Sequence, residues 1–155
     1  MTNPYRAPGA VVADQDRLVG SPVKAVLFGV LVDILGTTAM SFVVMVVYGI
    51  FLASRGAGQE EIESAASQLD PLSGIGLFIS ALGCVFSFLG GYVCARVAGQ
   101  AELKWAAVVA AISFAFGVII GLQAYSIGMN LLLAAPATAC VLLGGYTGAR
   151  RNKRP

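Results

Sequence analysis

Four long, uninterrupted apolar stretches constrain this chain more than any other feature. They run from about Pro22 to Ser54, Pro71 to Val97, Lys104 to Ala124 and Asn130 to Ala149. A helix needs roughly 20 apolar residues to cross a hydrocarbon core of about 30 Å, and each stretch is long enough. In lipid every backbone polar group must be satisfied within the protein, so only helices and closed barrels can span. The stretches are continuous and do not alternate with period two, which disfavours a barrel. The expected fold is all-α: a polytopic membrane four-helix bundle of two in–out–in hairpins. Composition agrees, with 57% hydrophobic and 12% charged residues, against roughly a quarter charged in a soluble domain.

Residues 1–20 read as a disordered cytoplasmic leader, 21–150 as the transmembrane domain and 151–155 as a basic tail. The polar leader is too long for a cleaved signal peptide, whose short apolar core is preceded by few residues. Ser21-Pro22 and Asp70-Pro71 each place a side-chain acceptor before a proline whose φ is already helical, and are expected to start spans one and two. Ser126 or Asn130 is expected to cap span four, and Pro136 to kink it. Span one, about 45 Å long if about 30 of its residues are helical, exceeds a perpendicular crossing. Lys24 at its start suggests that its first two turns lie in the cytoplasmic headgroup region. Between spans one and two, Ile62, Ala65, Ala66 and Leu69 repeat at helical spacing behind an acidic start, predicting a short amphipathic helix.

Orientation follows from the basic residues. Arg6, Arg17, Lys24, Arg96, Lys104, Arg150, Arg151, Lys153 and Arg154 fall on one side of a four-span arrangement, and only Arg55 on the other. The positive-inside rule places both termini in the cytoplasm; a bacterial cytoplasmic (inner) membrane is the expected location. Net charge is only +2, so nucleic acid is not an expected partner. The lipid bilayer is, together with a second copy of the chain or a larger membrane complex.

Leu89-Gly90-Gly91-Tyr92-Val93-Cys94-Ala95-Arg96 and Leu143-Gly144-Gly145-Tyr146-Thr147-Gly148-Ala149-Arg150 agree at six of eight positions, suggesting an internal repeat of two hairpins. Small residues four apart let helices approach closely. Gly90, Gly91, Gly144, Gly145 and Gly148 are therefore expected packing residues, with Gly117 and Gly121 of a G-x-x-x-G in span three. Tyr92, Arg96, Tyr146, Arg150 and Trp105 are expected interfacial anchors, Tyr and Arg pairing within each motif at i,i+4.

Asp33 is the single acid well inside a span. A charge at mid-bilayer costs about 3 kcal/mol on insertion scales, so Asp33 should face a helix neighbour. It reads first as a structural polar anchor, paired with Arg96, Arg150 or a Tyr hydroxyl, or protonated against a carbonyl. The competing role is a proton- or cation-coupling acid in a transport path. Whether it meets a basic partner or lines a polar cavity discriminates the two. No histidine and no carboxylate cluster is present, so no metal, cofactor or enzymatic activity is expected. Cys84, Cys94 and Cys140 read as small hydrophobes.

With its G-G-Y-x-x-A-R endings at 90–96 and 144–150 and the Gly/Asp/Gly-Thr stretch around Asp33, the chain resembles uncharacterised small bacterial four-span membrane proteins. That resemblance implies the fold and no activity. Small multidrug-resistance exporters offer an analogy, having four spans and one acid in the first. The long acidic outer loop, the one-sided basic bias and the aliphatic flanks of Asp33 depart from them. The expected function is a structural or accessory membrane protein; the alternative is a small transporter or channel subunit using Asp33.

Overall fold

A computed structural model describes residues 20–152. It contains α1 (Pro22–Ser54), α2 (Gln59–Ser67), α3 (Gly74–Ala98), α4 (Glu102–Gly121) and α5 (Ile127–Asn152). Apart from Gly20, the expected leader lies outside the described residues, as do residues 153–155 of the tail. All but α2 are long and apolar enough to cross a membrane, and the chain is a multi-pass membrane helical bundle. Their outward side chains, such as Phe42, Val47, Phe78 and Ile119, are apolar and exposed, as suits helices whose solvent is lipid.

Helix α3 lies between α1 and α5, while α4 packs on α5 and touches α3 and α1; α1 and α5 do not meet. Gly20 abuts the Val97 carbonyl and Asn152 bonds to the Ala95 carbonyl. Both chain ends as described therefore sit at one end of the bundle, here the terminal end, with α2 at the opposite, loop end.

The terminal half is closed by glycine. A Cβ on Gly91 would fall on the Val141 carbonyl, one on Gly144 on the Phe88 carbonyl, one on Gly145 on the Ala106 methyl, and one on Gly148 within 2.9 Å of the Tyr92 carbonyl oxygen. The two G-G-Y endings thus lie side by side on parallel helices. Gly90 faces α1, where a Cβ would stand 2.7 Å from the Gly29 carbonyl oxygen. Gly121 packs on Asn130, but a Cβ on Gly117 would meet nothing within 4 Å. Gly117 is thus no packing residue within the described chain, because α4 has left its neighbours at that depth.

Several boundaries differ from expectation. Span two begins at Gly74: Ser73 caps it, its hydroxyl accepting from the Gly76 N–H at 3.1 Å, while Asp70-Pro71 forms the preceding turn, the Asp70 side chain accepting from the Leu72 N–H. Ser21 makes no side-chain cap, although α1 does start at Pro22. Ser126 rather than Asn130 stands at the start of α5, accepting from the Met129 N–H at 3.5 Å. Helix α5 continues through Pro136 to Asn152. The turn from α3 to α4 uses two left-handed residues, Gly99 (φ 65°) and Ala101 (φ 49°).

Relative to α3, the surplus length of α1 lies at the loop end. Gly29 packs on Cys94, Gly36 on Phe86 and Thr37 beside Gly83. At equal rise in this antiparallel pair, α1 overtakes the start of α3 beyond about Val46. The extra turns are met by α2, whose Ile62 methyl would stand 3.5 Å from a Cβ on Gly49. Ile62 and Ala65 of α2 are half-buried and its glutamates exposed, as the amphipathic pattern predicts, but Ala66 of the expected stripe is exposed and Leu69 lies beyond the helix end.

A candidate binding cavity around Asp33

The buried residues are distributed unevenly along the bundle. In α1 they are Ala25, Gly29 and Asp33; in α4, Ala106, Val109 and Ala110; in α3 all but Gly76 lie from Ser87 onward, and in α5 all but Asn130 from Val141 onward. The terminal half is close-packed and the loop half splays. Between the splayed helices is a cavity of about 600 Å³ reaching from Asp33 and Ser87 to Leu72, Tyr125 and Asn130 at the loop end.

Asp33 is 4% exposed and forms the floor. Its place depends on Gly90, since a Cβ there would come within 2.8 Å of the Asp33 Cβ. The missing methyl lets α1 approach α3 until the Ser87 hydroxyl donates to Asp33 Oδ1 at 2.7 Å. The basic partner expected for Asp33 is absent among the described residues. Arg96 donates to Asn152 Oδ1 at 2.7 Å, and Arg150 lies over the Tyr146 ring at 5.6 Å. The reason is depth. Arg96 follows Ser87 by nine residues, about 13 Å of rise, and an ion pair closes only within about 4 Å.

The walls are mostly apolar, with Ile34, Phe114, Phe116, Ile120, Leu132 and Leu133 among them. Polar groups interrupt them at intervals. Thr37 Oγ1, Ser113 Oγ and Asn130 Nδ2 are buried without a hydrogen-bond partner, and their residues line the cavity. Such groups normally find partners, because leaving one unmet costs about 1–3 kcal/mol. The cavity therefore presents a carboxyl between mostly apolar walls, and the three unmet atoms lie just beneath its surface, within reach of an occupant only after their side chains rotate. Cys84 also lines it. Among the described residues no three His, Cys, Asp or Glu side chains gather as a metal site.

The interfacial residues lie at the terminal end but pair differently than expected. Arg150 with Tyr146 is the intrahelical pair read from the motif. In the first motif Tyr92 instead accepts from Arg151 at 3.3 Å, across the α3–α5 contact, because the last turn of α5 runs beside that of α3 and presents Arg151 and Asn152 to it. Trp105 carries the Lys104 ammonium 5.7 Å from its ring and packs against the buried core.

Comparison of the chain with protein-family models, with curated proteins and with solved structures finds no match. Function must be read from the cavity itself. Of the cavity residues the sequence alone points to Asp33, and it offers Asn130 only as a possible cap; Thr37, Ser87 and Ser113 are brought to the cavity by the fold. The signal for Ser113 was its position: it follows Lys104 by nine residues, as Asp33 follows Lys24.

Proposed function

We propose that this chain is a small bacterial inner-membrane protein that binds an amphiphilic organic cation in its intramembrane cavity, with Asp33 as the counter-charge, as a carrier or a binding subunit. The observation that carries the reading is that Asp33 has no basic partner among the described residues and instead lines a largely apolar cavity. An intramembrane acid in such a place is a functional group by default. The volume argues for a molecule over a bare ion, since about 600 Å³ falls in the range of drug-sized ligand pockets, roughly 300–1,000 Å³. The aromatic and aliphatic walls favour an apolar body, and the carboxyl a positive end.

The expected orientation puts both termini in the cytoplasm, so the cavity would face outward and the glycine-packed half would close the cytoplasmic side. No enzymatic step is proposed. The test is equilibrium binding of a lipophilic quaternary ammonium or phosphonium probe to the purified protein in nanodiscs. Saturable binding that sodium does not displace is expected; absence of saturable binding would refute the reading.

A structural or accessory role is the second reading, favoured by the glycine-closed terminal half, which resists the opening that alternating access requires. Under it the same titration gives no saturation, and the protein co-purifies with other membrane proteins.

Orientation is checked independently. A membrane-impermeant thiol reagent on intact cells should label Glu60→Cys and spare Lys153→Cys. Labelling of the second from outside would reverse the topology.

A further inference from the structure

A second groove, of about 410 Å³, lies between α1 and α4 on the terminal half, away from Asp33. Pro22, Val23, Val26, Leu27 and Val30 form one wall, and Trp105, Val108 and Ile112 the other. It runs from the first turns of both helices, and Trp105 to Ile112 spans about 10 Å of rise. Every lining residue is apolar, so one acyl chain suits it along its whole length. Its mouth differs: Lys104 holds its ammonium over the ring of the wall residue Trp105, and Lys24 stands exposed in the first turn of α1. The nearest acid in sequence, Glu102, is drawn toward α5, where Asn152 donates to it at 3.4 Å. Lys104 therefore stands at the mouth of the apolar channel, and Lys24 lies in the same first turn of α1 as the wall residues Pro22 and Val23.

We infer that the α1–α4 groove is a binding site for an anionic phospholipid, one acyl chain lying between Val26, Val30, Val108 and Ile112 and the phosphate held by Lys104 and Lys24. Apolar length and basic mouth together match the two ends of one lipid, and the indole of Trp105 sits where amphipathic rings meet the glycerol region. A basic residue near an anionic surface contributes about five-fold in affinity. The inference is independent of what occupies the Asp33 cavity.

The test uses the full chain, delipidated in detergent and analysed by native mass spectrometry with phosphatidylglycerol or phosphatidylcholine added. Wild type is expected to retain phosphatidylglycerol at least about ten-fold better. Lys24→Gln/Lys104→Gln should remove that preference while leaving chain binding, and Val108→Trp should remove retention of both lipids. A further variant with Arg150, Arg151, Lys153 and Arg154 changed to Gln should keep the preference. Equal retention of the two lipids by wild type would overturn the inference, as would a preference that vanishes with the tail variant and survives in the lysine variant. Thermal melting of each variant separates lost binding from lost folding.

Discussion

Asp33→Asn should abolish binding of a lipophilic cation while leaving the bundle folded. The amide keeps the size of the carboxyl and still accepts from Ser87, whose hydroxyl now donates to Asp33 Oδ1 at 2.7 Å. Since the described residues give Asp33 no basic partner, the substitution strands no buried cation. Had Asp33 been paired with Arg96, removing its charge would have destabilised the protein by about 3–5 kcal/mol. The change instead falls on the ligand, which loses its counter-charge in a site with mostly apolar walls. Truncating one member of a buried charged pair costs about 2–5 kcal/mol, so affinity should fall roughly 30-fold or more. Titration of wild type and variant with the same probe measures it, and parallel melting curves control for folding. Unchanged affinity with an unchanged melting temperature would remove Asp33 from the site. A large drop in melting temperature would restore the anchoring role.

Two identical substitutions in one protein should have opposite outcomes. Gly→Ala inside a helix is intrinsically favourable by about 1 kcal/mol. At Gly117 the new methyl meets nothing within 4 Å, so Gly117→Ala should be neutral or stabilising. At Gly144 the methyl would land on the Phe88 carbonyl. Backbone atoms of two packed helices must separate to admit it, and overpacking of this kind costs about 3 kcal/mol. Gly144→Ala should lower the melting temperature sharply in detergent, and Thr147→Leu, at an exposed position, should not. Equal melting of Gly117→Ala and Gly144→Ala would mean that the glycine contacts do not hold the bundle together.

The spans were legible in the sequence because lipid imposes a single requirement, apolar length, and four stretches meet it. The glycine seam was legible as well: Gly90, Gly91, Gly144, Gly145 and Gly148 all stand at close approaches. Gly117 has the same spacing and none of the contacts, because spacing places a glycine on a face but does not say how far the next helix is. Asp33 illustrates the same limit. Its face could be read from its neighbours in α1, but its partner depends on which residues of α3 share its depth. That register is set by the meeting of Gly29 with Gly90, a contact between residues far apart in sequence. The cavity had no local signature, since Thr37, Ser113 and Asn130 come from three helices and matter only together.

The inequality between α1 and α4 bears on where in a cell such a chain can settle. Helix α4 has 20 residues, about 30 Å, and α1 has 33, about 50 Å. A bilayer matched to α4 leaves Val47, Ile50 and Phe51 of α1, all exposed, standing above its hydrocarbon on the side where α2 covers only part of them. A thicker bilayer submerges them but stretches past both ends of α4. Membrane thickness therefore acts on the two halves of the chain in opposite senses, and mismatch of a few ångströms is enough to sort proteins between membranes. Reconstitution in lipids of graded acyl length should show a stability maximum at chains longer than α4 alone would select.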